Sequence, residues 1–297
     1  AVIAVNEQDS GFQVDPAVPG LAAIAWKEID AHAASAHLPK AVVRTALRAP
    51  SRGGRSYAER IDAAKTEREL SEIFEDLIGV LPLGKTLLSE RNPVRTGGPM
   101  QVGIAFAQNH VKQRPYPYPM AEGGLRGEVF TRRGGLYFGT AHLLDYPARY
   151  EQMLFRFADF NAGHYASRNA AFQNAVSLAS GIPLDLDGDL LRFGSDEAGA
   201  TETAARVLAE RLKLDPSDVR EDLEQGRGSE LEDTRLYRKV FALADRVQGQ
   251  PAPRAVVPNI RLSSPKITRK LTTAWFANRV DERYRRCLLR DPGHSAR

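Results

Sequence analysis

The side chains of this 297-residue sequence placed to do proton chemistry are carboxyls beside glycine-containing turns. Asp9 precedes Ser10-Gly11-Phe12, Glu90 stands just before the Gly97-Gly98 pair, and Glu128 lies in Arg126-Gly127-Glu128-Val129. A carboxyl acts as general acid or base near neutrality when burial raises its pKa toward that range. Asp9 ranks first and Glu90 second. Glu7, two residues before Asp9 and about 200° round a helix, faces away from it. In Asn92-Pro93-Val94-Arg95-Thr96-Gly97-Gly98-Pro99-Met100-Gln101-Val102 the two glycines open the backbone to a ligand and Pro99 stiffens the turn. The amides of the helix that follows can point toward the same place. The string also reads as a loop-to-helix junction with Met100 in the core.

Other chemistries find little support. His110, His142 and His164 are accompanied by no Gly-x-Ser-x-Gly elbow, so no nucleophilic triad is read. No Cys/His cluster suggests zinc, and no metal or other cofactor is expected. Asp185-Leu186-Asp187-Gly188-Asp189 opens like a calcium loop, but its glycine falls at the fourth position and no Glu arrives at the twelfth. Cys287 is the single cysteine; it reads as a buried thiol or as the partner of a cysteine upstream of Ala1.

Four strings in chain order resemble the sugar-cleaving site of the lytic transglycosylases, a family related in fold to goose-type lysozyme. They are Asp9-Ser10-Gly11-Phe12, Gly98-Pro99-Met100-Gln101, Gly134-Gly135-Leu136-Tyr137-Phe138 and Phe160-Asn161-Ala162-Gly163. The family forms are roughly E-S-x-F, G-L-M-Q, a glycine-containing helix start with a Tyr-Leu pair, and Y-N-A-G. The resemblance implies cleavage of the β-1,4 bond between N-acetylmuramic acid and N-acetylglucosamine by one carboxyl, acting first as acid and then as base. It places Asp9 as that acid, with Glu90 as rival. Ser10, Gly97, Gly98, Met100, Gln101, Tyr137, Phe160 and Asn161 then become substrate-binding positions, Met100 and Gln101 lining the cleft. It further implies that the Pro115-Tyr116-Pro117-Tyr118-Pro119 loop can stack on sugar rings or pack on its own domain.

Two departures matter. Asp9 fills a glutamate position, so its oxygens sit about 1.5 Å further back, where about 1 Å of misplacement can cost a hundredfold in rate. Phe160 replaces a tyrosine and lacks its hydroxyl, for which Tyr165 is the available substitute. Both favour an alternative: a catalytically reduced or inactive lysozyme-fold protein that binds peptidoglycan.

Longer strings resemble the YaiW-type outer-membrane lipoproteins of Gram-negative bacteria. They are Val14-Asp15-Pro16-Ala17-Val18-Pro19-Gly20-Leu21, the Gly98 turn, Arg156-Phe157-Ala158-Asp159-Phe160-Asn161-Ala162-Gly163 and Ser264-Pro265-Lys266-Ile267-Thr268-Arg269. That resemblance implies an envelope protein, outer-membrane or periplasmic, held by a lipid anchor outside this chain. Ala1-Val2-Ile3-Ala4-Val5 reads as the inside of a helix, which suits a sequence beginning partway through a precursor.

The elements that must position these residues are helical. Thr66 with Glu69 makes a capping box ahead of Leu70, Ile73, Phe74, Leu77 and Ile78, predicting a helix over Thr66–Leu81 that Pro82 stops. Helices are also predicted over Leu21–Ala36, Thr201–Leu212, Ser217–Gln225 and Thr272–Leu289, the last burying Trp275, Phe276 and Val280. Arg149–Ala179 is amphipathic with an interruption at Asn161-Ala162-Gly163. Loops are expected over Arg48–Ser56, Arg91–Gly98, Arg114–Gly127 and Gly249–Pro265.

The fold class expected is mostly α, with a lysozyme-like (lytic transglycosylase-like) core over residues 1–195. A helical insertion falls at about 20–88, and a helical extension over 196–297 packs on the core. With 42% hydrophobic and 26% charged residues the chain has material for a core, and no apolar run reaches the length of a bilayer span. The net charge of +4 is uneven: from Arg254 onward Lys and Arg outnumber Asp and Glu by eleven to three. A basic face of this kind suits anionic cell-wall polymer or simple solvation. Peptidoglycan glycan strands are the expected partner, and no nucleic-acid motif accompanies the charge.

Overall fold

The computed structural model describes residues 1–80, 92–262 and 270–290, and within them helix dominates. Side-chain caps set many helix starts. Ser56 and Glu59 form a reciprocal capping box at Tyr57–Ala63, and Thr66 and Glu69 exchange 3.3 Å bonds at Glu67–Val80. Asp215 caps Pro216–Glu224 with proline at its first turn. Thr234 caps Arg235–Gln248, and Thr272 caps Thr273–Leu289.

The chain folds into two compact units, residues 4–142 with Val2, and residues 143–297 with Ala1 and Ile3. In the first, α1 (Val2–Ser10), α2 (Leu21–Ser35), α3 (Lys40–Ala46), α4 (Tyr57–Ala63) and α5 (Glu67–Val80) precede an antiparallel pair, β1 (Thr96–Gly97) and β2 (Val102–Gly103). The helices α6 (Ile104–Gln113), α7 (Gly124–Val129) and α8 (Arg132–Leu144) follow. Leu21, Ala25, Tyr57, Ile61, Leu70, Ile73, Val102, Ile104 and Phe138 form one core there.

The second unit is built round α10 (Ala166–Ser180), which follows α9 (Met153–Ala162) and is buried on almost every side. Such a helix has no solvent face, and alanines let its neighbours approach closely. Around it lie α11 (Ala200–Val207), α12 (Ala209–Leu212), α13 (Pro216–Glu224) and α14 (Arg235–Gln248), whose Leu236, Val240, Phe241 and Ala244 share its core. The pair β3 (Arg261–Leu262) and β4 (Leu271–Thr272) leads to α15 (Thr273–Leu289), which packs along α9.

Most of the anticipated helices form, with some differences. Helices α3, α4 and α14 form in stretches for which no helix is predicted, the helix expected over Thr201–Leu212 forms as α11 and α12, and α7 begins inside the expected loop Arg114–Gly127. Trp275 is 40% exposed while Phe276 and Val280 are buried, because α15 turns Ala277, not Trp275, inward. Pro82, Glu90, Arg91 and the string Ser264–Arg269 lie outside the described residues. No helix among the described residues is long and apolar enough to cross a membrane.

Candidate active site

Asp9 occupies the last turn of α1. Gly11 and Phe12 take left-handed backbone conformations (φ 58° and 67°), which end the helix directly after Ser10. Ser10 is buried and its hydroxyl donates to the Asn6 carbonyl (3.1 Å) and to Asn6 Oδ1 (2.9 Å), which locks the turn. The Asp9 carboxyl receives no hydrogen bond and forms no ion pair among the described residues. It keeps a little solvent access, yet burial pushes its pKa well above the usual carboxylate range. The negative end of the helix dipole acts in the same direction. Among the described residues no donor or cation offsets that burial, which favours the protonated form of this carboxyl.

The Gly98 turn closes the β1–β2 pair. Asn92, fully buried, ties its approach to α5 through Ser71 O (3.2 Å) and Glu75 Oε1 (3.0 Å), and its own oxygen accepts from the Val94 amide. Gly98 has φ +75°, and a Cβ on it would lie 2.2 Å from the Val129 carbonyl. A Cβ on Gly97 would enter the Phe130 ring. Helix α8 meets the turn with glycines of its own: Gly135 faces Pro99 and Gly139 faces Met100. These glycines therefore serve protein-to-protein packing. Gly97, Gly98 and Met100 are all buried, and Met100 has no exposed surface. That corrects the expectation that the glycines bare their backbone to a ligand and that Met100 lines a cleft. Gln101 does retain access, with φ +47° and its Nε2 donating back to the Gly98 carbonyl at 3.2 Å.

Tyr137 is half-buried on α8 within an aromatic group. Its ring meets Tyr116 at 5.0 Å, Tyr118 at 6.3 Å and His110 at 5.8 Å. The Pro115–Pro119 loop thus packs on its own unit while leaving Tyr118 48% exposed. Glu128 pins it. This fully buried carboxylate accepts from Tyr116 Oη (2.5 Å), the Ala121 amide (2.8 Å) and Arg133 Nε (2.9 Å). Burial alone would raise its pKa, but the bonds from Arg133, Tyr116 and Ala121 outweigh that and lower it. Burial, then the bond to Glu128, pushes the Tyr116 hydroxyl up to about 12. Glu128 is a structural anion and no longer a candidate acid.

In the second unit, Asn161 is exposed near the end of α9, and its Oδ1 accepts from Thr273 Oγ1 at 3.0 Å. Gly163 follows at φ +106°, a region side-chain-bearing residues avoid. Phe160 is half-buried. Sequence reasoning missed Asp159 beside it, which is fully buried and accepts from Tyr150 Oη (2.7 Å), Tyr146 Oη (3.1 Å) and the amides of Tyr165 (3.0 Å) and Ser167 (2.7 Å). It caps the start of α10 from outside the helix. Its position one residue before Phe160 is the signal that could have drawn attention to it. Tyr165, the proposed hydroxyl substitute, donates weakly to the Pro147 carbonyl (3.4 Å), with the Arg168 guanidinium over its ring at 4.3 Å. Asp187 accepts from Gln173 Nε2 (2.8 Å) and the Asp189 amide (2.9 Å), and no cluster fit for a metal occurs among the described residues.

Residues 1–290 match the family model described as "Protein of unknown function (DUF1615)". The chain belongs to the DUF1615 family. It is 58% identical over 288 residues, 97% of this chain and 78% of the relative's length, to the protein called "Uncharacterized protein YaiW" from Escherichia coli (strain K12). The resemblance to YaiW-type proteins is thereby established. No solved structure matches the chain. In this DUF1615 protein the structure gathers Gly97, Gly98, Met100 and Gln101 at the turn that Gly135 and Gly139 of α8 meet, while Tyr137 of the same helix joins the aromatic group of Tyr116, Tyr118 and His110. Asp9 and Ser10 stand on α1 of the same unit, and Phe160 and Asn161 belong to the other unit.

Proposed function

We propose that this protein is a peptidoglycan lytic transglycosylase with a lysozyme-like helical core, using Asp9 as its single acid/base. The observation that carries the reading is the Asp9 carboxyl itself. It lies in the last turn of a helix, has a locked Ser10 beside it and no partner for its charge among the described residues, and burial favours its protonated form. In the reaction, Asp9 gives its proton to the glycosidic oxygen as the bond from that oxygen to C1 of N-acetylmuramic acid breaks. The carboxylate left behind takes the proton of the same sugar's 6-hydroxyl while that oxygen bonds to C1. A 1,6-anhydro ring results, water is not consumed, and Asp9 returns to its acid form. Gln101, on the turn made rigid by Gly97, Gly98 and Met100, and Tyr137 are the accessible positions assigned to sugar contact. The setting assigned is the cell envelope, through a lipid anchor to the outer membrane or in the periplasm.

The shorter reach of aspartate supports a second reading, a peptidoglycan-binding protein of the same fold with reduced turnover. Digestion of purified peptidoglycan, with products read by mass spectrometry, separates the two. Anhydro-muropeptides from wild type that vanish in Asp9→Ala support the enzyme. Product from Asp9→Glu but none from wild type gives the binding reading.

A further inference from the structure

The second unit carries a groove of about 700 Å³ that shares no residue with those assigned to bond cleavage or sugar contact. Its size falls among the ~300–1,000 Å³ cavities that hold organic ligands. The floor is aromatic: Tyr237 and Phe241 from α14 meet at 4.6 Å, and Tyr237 stacks on Phe172 of the core at 5.7 Å. Arg254 lies over the Phe241 ring at 4.0 Å and pairs with Asp245 at 2.8 Å. Arg149, its side chain 81% exposed, approaches Glu232 only to 3.8 Å.

Two polar groups in this groove lack hydrogen bonds. Tyr237 is 8% exposed, yet its hydroxyl has no partner among the described residues and is not sealed in the interior. Glu232, with 18% of its side chain exposed, accepts no hydrogen bond among the described residues. Buried polar groups are normally satisfied, and a group left open toward a groove is one that a ligand can satisfy.

The charges decide the kind of ligand. Arg149, Arg238 and Arg254 are balanced by Glu151, Glu232 and Asp245. A strongly anionic polymer meets three carboxylates there, and a polycation meets three guanidiniums. Guanidiniums only donate, carboxylates only accept, and the tyrosine hydroxyl does both. Hydroxyl groups, each both donor and acceptor, match that alternation, and the half-buried rings of Tyr150 and Phe155, 5.7 Å apart on the groove wall, offer apolar surface to sugar rings.

We propose that this groove is a binding site for an uncharged oligosaccharide, separate from the residues assigned to bond cleavage. The test uses the full chain carrying Asp9→Ala, titrated with the β-1,4-linked tetramer of N-acetylglucosamine and followed by backbone amide NMR. Saturable shifts over 149–155, 237–242 and 253–255 are expected. Tyr237→Phe removes a hydroxyl with no protein partner, so the fold persists while affinity drops about fivefold, the worth of one hydrogen bond. Arg149→Ala, at an exposed position, weakens binding by a similar factor.

Absence of shifts in these segments at about 10 mM sugar, a concentration that reveals even weak sites, overturns the proposal. So does unchanged affinity in both variants, or response to an acidic tetrapeptide in place of the sugar. Sugar-induced shifts confined to residues 9–12 and 97–101 overturn the groove while leaving the Asp9 reading intact. Shifts in the groove from a protein whose wild type makes no anhydro product establish the groove and leave the enzyme reading to fall by itself.

Discussion

Gly135 and Pro99 meet where α8 receives the Gly98 turn, so closely that a Cβ on Gly135 would lie 2.4 Å from Pro99 Cδ and 2.9 Å from the Val129 carbonyl. Neither neighbour is a flexible chain end. Gly135→Ala gains about 1 kcal/mol of helix propensity but must displace a proline ring and a backbone carbonyl. The net expectation is a loss of about 1–3 kcal/mol, typical of overpacking, measured by urea unfolding. Gly53, around which a Cβ meets nothing, serves as control and should tolerate alanine.

The raised pKa of Asp9 has a definite consequence for stability against pH. Between the unfolded pKa, about 3.9, and the higher folded one, the native state binds more protons than the unfolded state. Stability from this group is therefore full below that window and declines as pH rises through it. Asp9→Asn removes the cost of ionisation, so its melting temperature should exceed that of wild type at pH 8 and converge with it near pH 4. A gap independent of pH would show that burial does not perturb Asp9.

The same shift sets a kinetic expectation. If Asp9 is the acid, as proposed, it must be protonated to act, and kcat/KM for peptidoglycan should fall with increasing pH through the folded pKa. In Asp9→Glu that limb should move while persisting, and an alkaline limb unchanged in Asp9→Glu would argue against Asp9 as the acid.

Glu128 behaves oppositely. Burial is outweighed by Arg133, Tyr116 and Ala121, so its folded pKa is lowered; the stability it adds is present above the unfolded pKa, about 4.3, and is lost as pH falls through the folded value. Glu128→Gln keeps the shape but replaces an acceptor oxygen with a donor facing Tyr116, Ala121 or Arg133. A loss of about 1–3 kcal/mol at pH 7 is expected, narrowing in acid, together with loosening of the Pro115–Pro119 loop seen as faster proteolysis there.

Arg168 is buried in α10 and donates to the carbonyls of Gly226 (2.8 Å) and Gly228 (2.7 Å) and to Asn169 Oδ1 (2.9 Å). Lysine has the charge but not the planar fork. Arg168→Lys should leave one or two of these acceptors unpaired and lower stability by about 2–4 kcal/mol, read from chemical denaturation.

Much of the helical frame is legible from short-range signals. The Thr66–Glu69 box, the Asp215-Pro216-Ser217 start and the left-handed Gly11 after Ser10 act within one helical turn, so four or five residues decide them. Helix α14 was legible in the same way and went unread: Thr234 caps it, and Leu236, Val240, Phe241, Leu243 and Ala244 follow at helical spacing. Asp9 stands out as a candidate from its string alone, because its place in the last turn of a helix before Ser-Gly-Phe is a local property.

Tertiary structure decided what each candidate does. Glu128 and Asp9 are both carboxyls near glycines in the sequence. Donors from a loop before it and a helix after it keep Glu128 ionised, while Asp9 meets crowding without donors. Gly97 and Gly98 looked like openings for a ligand until Phe130 and Val129 arrived to fill them. Arg168 is buried only because Gly226 and Gly228, about sixty residues later, supply the carbonyls that take its protons. Helix propensity and capping act over a few bonds and are written in adjacent residues. Desolvation, charge pairing and close packing depend on atoms that only the folded chain brings within a few ångströms, and these forces raise the pKa of Asp9 and lower that of Glu128.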